Sequence, residues 1–355
     1  MYYLRTVAST APGSFGAVPP RRGHRVTSRD IAREAGVSQP TVSRALRGDP
    51  RVAPATAALV QTTANRLGYV PDAAAQTLIT RRTGTVAIVV ADITNPFYPE
   101  LVEALHDELG RAAYRTVLLN ERTDARGVDT LMRAGAVDGA IVATATLDDR
   151  TRTLLTGERA PIVQLVREVD GVDRDAVVSD NHGGAVLAAD LLVSLGHRRI
   201  GLISGPADTS TARDRDAGFE AALDRQGVRL DPELRRRGEY AHHTGHQCCQ
   251  ELLEQPEPPT AIFCGNDVIA LGALDAARRR RVVVPGELSL VGFDDISLAG
   301  WESFRLTTVR QPLAEMAHAA VRALVRRIEG DDVPPRRTVF RTELIQRATT
   351  GPPQR

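Results

Sequence analysis

Lysine is absent from the 355 residues, so all 45 basic side chains are arginines. Cysteine is scarce: three residues, of which Cys248 and Cys249 are adjacent, do not make the disulfide framework of a secreted domain. No apolar run approaches the roughly 18–20 residues that span a bilayer, and residues 1–25 lack the apolar stretch of a secretory signal. These absences argue against a membrane or secreted protein and predict a cytoplasmic chain with reduced thiols.

The small net charge of +1 conceals a marked asymmetry along the chain. Residues 21–82 hold eleven arginines and four acids, a local net charge of +7, which leaves −6 for the remainder. Hydrophobic residues make up 42% of a chain long enough for two or three domains, so most of it can fold around packed cores. A basic head on an acidic body indicates that one end meets a polyanion.

The basic head has the pattern of short helices with tight connections. Thr27 or Ser28 can cap the first helix, Gly36 permits the left-handed turn that ends it, and Ser38 can cap the second. The predicted helices run over about Arg29–Ala35, Gln39–Leu46 and Pro54–Leu67. A short helix, a glycine turn and a second capped helix predict a helix-turn-helix.

In a helix-turn-helix the second helix enters the major groove while the first braces the phosphates. Arg44 can donate two hydrogen bonds to guanine, and Gln39 can contact a base edge. Pro40 offers only apolar contact, and Thr41 lies on the same exposed face. The residues predicted to contact phosphates are Thr27, Ser38, Ser43 and Arg51. The alternative interpretation is a three-helix packing module that binds no nucleic acid.

From about Thr85 the chain alternates between short apolar runs and amphipathic segments. The predicted strands are Val86–Val90, Thr116–Leu119, Gly139–Ala143, Pro161–Leu165, Ala176–Ser179, Ile200–Ser204, Ala261–Cys264 and Leu288–Phe293. The predicted helices include Pro99–Ala113, Gly183–Leu195, Ala212–Gln226 and Val268–Arg280. Continuous apolar strands separated by helices indicate parallel sheets covered on both faces, and there are enough strands for two.

Several motifs resemble the LacI/GalR family of bacterial transcription regulators. In the head they are Ile31-Ala32, Ala35-Gly36-Val37-Ser38, Thr41-Val42-Ser43-Arg44 and Leu67-Gly68-Tyr69-Val70-Pro71. In the body they include Asn95-Pro96-Phe97-Tyr98, Leu195-Gly196-His197-Arg198-Arg199-Ile200, Gly265-Asn266-Asp267, Val291-Gly292-Phe293-Asp294-Asp295 and Leu306-Thr307-Thr308-Val309-Arg310-Gln311-Pro312. The resemblance covers about Val26–Thr350 and implies a small all-α helix-turn-helix head plus an α/β two-lobed, periplasmic-binding-protein-like body with two parallel sheets flanked by helices.

The resemblance also implies how the domains are arranged. We expect a disordered leader over 1–25, the DNA-binding head over 26–70, a hinge over 71–84 and an effector-binding and dimerisation body over 85–350. Within the body, the first lobe is expected at about 85–180 and 311–338, and the second at about 181–310 and 339–350. The resemblance implies a homodimer on a palindromic double-stranded DNA operator, with paired hinge helices in the minor groove and Leu78 wedged between central base pairs.

Ligands of such two-lobed folds bind in the cleft outside the carboxyl ends of the strands. By position, Arg215, Asn266, Asp294 and Gln311 match the family's effector contacts, and Tyr240 and Trp301 match cleft-lining aromatics. Phe97 and Tyr98 follow the first strand and complete the predicted site. Such side chains suit a small carbohydrate, because arginine and carboxylate bracket hydroxyls while an aromatic face covers a sugar ring. The alternatives are that Asp294 braces a turn and that Asn266 ends a strand.

One departure from the family pattern concerns the ligand. After the strand Pro161–Leu165, many sugar-binding relatives have aspartate, whereas this chain has Val166 and then Arg167. The missing carboxylate weakens an assignment to a simple neutral sugar. Arg167 can tolerate an acidic or phosphorylated ligand, or it faces solvent.

Metal binding, enzymatic activity and solute transport are alternatives to this interpretation. His242, His243, His246, Cys248 and Cys249 fit no established zinc spacing, so we expect a helix start with buried thiols, no metal and no cofactor. Enzyme motifs such as G-x-S-x-G and the P-loop are missing, so we expect no enzymatic activity. A solute-binding transport protein of the same body fold is the remaining alternative, against which the head and the missing signal peptide argue.

Overall fold

The computed structural model describes residues 26–69, 82–121, 127–146, 153, 155–157 and 160–354. The chain divides into two compact units, one up to Arg81 and one over Arg82–Arg355. The predicted leader and most of the predicted hinge, including Leu78, lie outside the described residues. Within the described ranges, no helix has both the length and the apolar character needed to cross a membrane.

Over residues 26–69, the part of the first unit that the structure describes, the chain forms three helices. They are α1 (Ser28–Ala35), α2 (Gln39–Leu46) and α3 (Pro54–Arg66). The Thr27 backbone amide and hydroxyl donate to the Asp30 carboxylate at 2.9 and 2.7 Å, which fixes the start of α1. Gly36 ends α1 at φ 64°. A small core of Ile31, Val42 and Val60 holds the three helices together.

The body begins at a backbone anchor. The amides of Thr83 and Gly84 donate to the Asp138 carboxylate at 2.6 and 2.8 Å, just before the first strand. These two residues belong to the predicted hinge segment, and the structure attaches them to the body.

The first lobe is built on a six-stranded parallel sheet. Its strands are β1 (Thr85–Val90), β2 (Arg115–Asn120), β3 (Gly139–Val142), β4 (Ile162–Leu165), β5 (Asp175–Ser179) and β11 (Arg337–Phe340), in the order β11-β5-β4-β3-β1-β2. The helices bounded within its described residues are α4 (Phe97–Arg111), α5 (Gly127–Arg133) and α10 (Leu313–Glu329). β1, β3, β4 and β5 are buried at every position, as the continuous apolar runs predict.

The second lobe is built on a four-stranded parallel sheet. Its strands, in the order β7-β6-β8-β9, are β6 (Ile200–Ser204), β7 (Arg235–Arg237), β8 (Ala261–Cys264) and β9 (Ser289–Val291). The helices between them are α6 (Asn181–Ser194), α7 (Ser210–Arg225), α8 (His242–Leu253) and α9 (Asp267–Arg279). Beside this sheet, β10 (Thr308–Arg310) and β12 (Glu343–Ile345) form an antiparallel ribbon.

The chain passes between the two sheets three times: after β5, between β10 and α10, and between β11 and β12. The predicted two-lobed α/β fold with two parallel sheets is confirmed. β11 continues to Phe340, two residues past the predicted limit of 338 for the first lobe. The two lobes are therefore joined by three connections.

Candidate DNA interface and effector cleft

The exposed face of α2 carries the predicted base-contacting residues. Ser38 caps the helix, because its hydroxyl oxygen accepts from the Thr41 amide at 3.3 Å. Val42 is buried, which turns Gln39, Pro40 and Arg44 to the surface. No side-chain bond within the described residues holds the Arg44 guanidinium, so it is available to a base edge.

The predicted phosphate contacts lie around the same helix, with one difference. Thr27 and Ser38 are exposed and Ser43 is half-buried. The Arg51 guanidinium is held by Asp49, with Nε–Oδ1 and Nη2–Oδ2 distances of 2.9 and 2.6 Å. This bond lowers the pKa of the Asp49 carboxyl well below its ordinary value. A phosphate would have to compete with that carboxylate for Arg51.

The cleft between the lobes encloses a cavity of about 20 Å³, which is room for about one water. The residues around it are Asn95, Phe97, Tyr98, Val166, Arg167, Thr211, Arg215, Tyr240, Asn266, Asp294 and Gln311. Seven of the eight residues predicted to contact an effector are therefore brought together. The exception is Trp301, which follows a short 3-10 helix (Ser297–Gly300), is 58% exposed and does not line the cavity.

Arg215 projects from α7 and is bound on all three of its nitrogens. Nε donates to Asn181 Oδ1 at 2.8 Å, Nη1 to the Gly265 carbonyl oxygen at 2.6 Å, and Nη2 to Asp294 Oδ1 at 3.2 Å. The guanidinium also lies 3.7 Å from the centroid of the Phe293 ring. Arg215 is thus held rigidly at the cavity wall. Asn181, which accepts from Arg215, was not among the predicted site residues. Its position just after β5 is the signal that could have identified it, since Phe97 was predicted because it follows β1.

Asp294 comes after β9 and is the acceptor of a buried hydrogen-bond chain. Gln311 Nε2 donates to its Oδ1 at 2.7 Å, and Gln311 Oε1 accepts from the Ser179 hydroxyl at 2.6 Å. Burial raises the pKa of the Asp294 carboxyl to about 6, against the opposing charge of Arg215. The arrangement presents a carboxylate beside a guanidinium and an amide, a set that can bind neighbouring hydroxyl groups.

Asn266 has a local role as well as its place in the cavity wall. Its Oδ1 accepts from the Ile269 amide at 2.9 Å and caps α9. Asn266 therefore has a structural role in the loop that ends β8, and it also lines the cleft, where it is predicted to contact the effector.

Arg167 lies in the cleft wall and is 7% exposed, so the alternative that it faces solvent is wrong. Its guanidinium carbon is 5.5 Å from the centroid of the Tyr240 ring, and the Tyr240 hydroxyl is 3.1 Å from Thr211 Oγ1. The sequence did not show this, because the burial of Arg167 depends on side chains of the opposite lobe.

Contacts across the cleft hold the two lobes together. The backbone amide and hydroxyl of Ser297 donate to Glu100 Oε1 at 2.9 and 2.7 Å. The Glu168 amide donates to Ser210 Oγ at 3.1 Å, and Arg213 forms an ion pair with Asp170. These contacts stabilise the closed position of the two lobes, and their separation would open the cleft for a ligand to enter.

The histidine and cysteine cluster lies on α8. Cys248 and Cys249 are buried and unbridged, and burial raises the pKa of the Cys249 thiol to about 12. His242 Nε2 is 3.0 Å from Asp275 Oδ2 on the neighbouring helix α9. In the part of the chain that the structure describes, no group of three or more His, Cys, Asp or Glu side chains is placed to hold a metal ion.

A helix-turn-helix unit joined to a two-lobed body with a polar cleft defines a DNA-binding regulator that responds to a small molecule. Two family models match the chain: residues 27–72 match "Bacterial regulatory proteins, lacI family", and residues 189–350 match "Periplasmic binding protein-like domain". The repressor CytR of Escherichia coli K12 is 31% identical over 91% of this chain and 96% of its own. The ribose operon repressor of the same organism is 33% identical over 91% and 99%.

Two solved structures extend the match to the whole fold. A lac repressor dimer bound to operator and the anti-inducer ONPF has a TM-score of 0.81 at 26% identity, covering 92% of this chain and 99% of that one. A complex of the transcriptional regulator CelR with cellobiose has a TM-score of 0.70 at 32% identity, covering 92% and 100%. The chain belongs to the lacI family of bacterial transcription regulators. Because the match includes the head, it argues against the alternative of a solute-binding transport protein.

Proposed function

We propose that the protein is a homodimeric repressor that binds a palindromic operator through α2 and releases or tightens its hold when a sugar or sugar derivative occupies the cleft. The observation that carries this proposal is the capped, exposed α2, where no side chain of the described residues binds the Arg44 guanidinium and Val42 is buried. The lac repressor, a structural relative, binds its operator as a dimer. Since the target is chromosomal DNA, the protein acts in the bacterial cytoplasm.

The effector assignment has its own support. CelR, a structural relative, binds cellobiose, and the ribose operon repressor is a sequence relative. In this chain Arg215, Asp294 and Gln311 form one connected hydrogen-bonding set in the cavity wall. Tyr98 and Tyr240 add aromatic surface that suits the apolar side of a sugar ring. No step of this function requires a cofactor or catalysis.

Control of DNA binding follows from lobe movement. A ligand held by residues of both lobes stabilises one relative position of the two sheets, and the predicted hinge segment ends in the anchored Thr83 and Gly84. Coupling between the sites requires that the ligand bind the DNA-competent and incompetent forms with different affinity, typically by about 1–3 kcal/mol. By linkage, operator DNA changes the affinity for the effector by the same factor.

The test is a selection of duplexes from a random pool by the full chain, followed by binding titrations at several salt concentrations with and without sugars. We expect a palindromic consensus, a salt-dependent affinity, and a change in operator affinity with at least one sugar or sugar derivative. A chain that enriches no palindrome, or whose operator affinity none of these molecules changes, would contradict the proposal.

A further inference from the structure

Arg167 is a buried cation that no carboxylate of the described residues contacts directly, although the Asp294 carboxylate acts on it at longer range. It is 7% exposed, and among the described residues no hydrogen bond or ion pair joins its guanidinium to a carboxylate. The Tyr240 ring, 5.5 Å from the guanidinium carbon, provides a favourable face but no negative charge. A buried charge is normally paired, because the loss of its hydration is otherwise not offset.

The other charged groups of the cavity wall are already matched. Asp294 lies against Arg215 and accepts from Gln311. Glu168, the residue next to Arg167, is turned away and accepts two hydrogen bonds from Arg337 Nε and one from its Nη2. With Asp294 ionised, one carboxylate faces two guanidinium groups, Arg215 and Arg167, so the side chains that line the cavity carry one positive charge in excess. Of the two, Arg167 is the one that forms no ion pair within the described residues.

The backbone before Arg167 has an unusual conformation. Val166 has φ 68°, in the left-handed region that a β-branched residue rarely adopts. The Arg167 amide donates back to the Leu165 carbonyl oxygen at 2.7 Å, which closes the tight turn. This strained turn directs the chain so that Arg167 lines the cavity, and strain of this kind is concentrated at ligand sites.

We propose that the effector carries an oxyanion, a carboxylate or a phosphate, that pairs with Arg167. Its hydroxyl groups bind the set formed by Arg215, Asp294 and Gln311. The inference rests on the proposed function and narrows the ligand from sugars in general to sugar acids and sugar phosphates. Arginine is suited to this role, because its planar fork donates two parallel hydrogen bonds to carboxylate or phosphate.

The experiment uses the full chain and matched sets of ligands: glucose with glucuronate and glucose 6-phosphate, galactose with galacturonate, and ribose with ribose 5-phosphate. Melting temperature and calorimetric Kd are measured for each. We expect an anionic member to bind at least tenfold more tightly than its neutral parent. Comparison of the acids with the phosphates then distinguishes the two sources of the charge.

Variants assign the preference to Arg167. Arg167→Met is expected to abolish the tenfold preference and to raise the melting temperature without ligand, because it removes an unpaired buried charge. Arg167→Lys should retain the preference for anions. Arg225→Met, at the exposed end of α7 and paired with Asp190, is the matched control and should behave as wild type.

The outcomes separate this inference from the function on which it rests. If neutral sugars alter operator affinity while their anionic counterparts bind no better, the charge assignment is wrong and the regulator remains. If none of the sugars, charged or neutral, binds or alters operator affinity, both are wrong. An anion preference that survives in Arg167→Met would also overturn the assignment.

Discussion

Arg215 on α7 and Asp294 after β9 form an ion pair inside the cleft, with Nη2 and Oδ1 3.2 Å apart and exposed fractions of only 3% and 6%. The two residues are far apart in sequence and meet because α7, which carries Arg215, follows β6 and Asp294 follows β9, so both lie at the carboxyl-end edge of the second sheet. Since burial penalises both charges, each depends on the other and on the neutral groups around them.

Arg215→Ala should remove the effector response and leave operator binding intact. The change deletes three hydrogen bonds and leaves Asp294 without its partner, so we expect the effector Kd to weaken at least tenfold. Loss of one member of a buried pair costs about 3–5 kcal/mol of folding free energy, and Arg215→Lys is the conservative companion that keeps a charge. Titration of operator with and without ligand checks the prediction, which an unchanged response would contradict.

Asp294 should make stability depend on pH. Burial raises its pKa from 3.8 to about 6, so the folded chain binds the proton more tightly than the unfolded chain. The stabilisation is therefore complete below about pH 4 and is lost as the pH rises through 6. Urea unfolding of the wild type and Asp294→Asn at pH 4, 5, 6 and 7 measures the difference, and equal pH slopes would rule out this assignment.

Arg44→Ala should remove operator preference and leave general DNA affinity. A bidentate contact to guanine discriminates by about 1–3 kcal/mol, which is roughly 5- to 150-fold. Anisotropy titrations with the selected duplex and a scrambled one give the ratio. Arg66→Ala, on α3 and paired with Glu34 at 2.9 Å, is the control and should leave that ratio unchanged. An equal loss on both duplexes with Arg44→Ala would mean that this side chain contacts phosphate only.

Glu100→Ala should favour separated lobes. The carboxylate accepts two hydrogen bonds from Ser297 across the cleft, and their loss is worth about 1–2 kcal/mol. We expect the effector to bind about 5- to 30-fold more weakly and the radius of gyration from X-ray scattering to increase without ligand. Glu103→Ala, an exposed position on the same helix α4, should show neither change. Unaltered scattering and affinity in Glu100→Ala would show that other contacts hold the lobes.

Leu78→Ala should reduce the bend of operator DNA. The side chain is predicted to act as an apolar wedge that unstacks a base step, and alanine is too short for that. Gel phasing of the bound duplex measures the bend, with Thr77→Ala as the neighbouring control. A bend angle equal to that of the wild type would show that Leu78 does not act as a wedge between base pairs.

The elements governed by local chemistry are those that the sequence predicts best. α2 is predicted to the residue, because Ser38 is a strong cap and Leu46 ends the apolar face. The buried parallel strands are also predicted correctly, because a short continuous apolar run such as Val86–Val90 is typical of a strand covered on both faces. β7 was not predicted, because its three arginines pair with β6 through the backbone alone.

The site was predicted in its positions and less well in its contacts. The strand-end rule and the family positions predict Arg215, Asn266 and Asp294, which the structure brings together around the cleft. Trp301 lies away from the cavity, because an aromatic residue in a sequence carries no signal for the direction of its ring. The link between Ser179 and Gln311 joins residues 132 positions apart. Local pattern cannot reveal such a pair, nor decide whether Arg167 is buried.

The hydrogen bonds from the Thr83 and Gly84 amides to the Asp138 carboxylate matter for protein engineering. These hydrogen bonds fix the point where the body begins, so a different DNA-binding module joined before residue 83 would be attached to the body at the same point. The fusion point for a chimeric biosensor built from this chain is therefore immediately before Thr83.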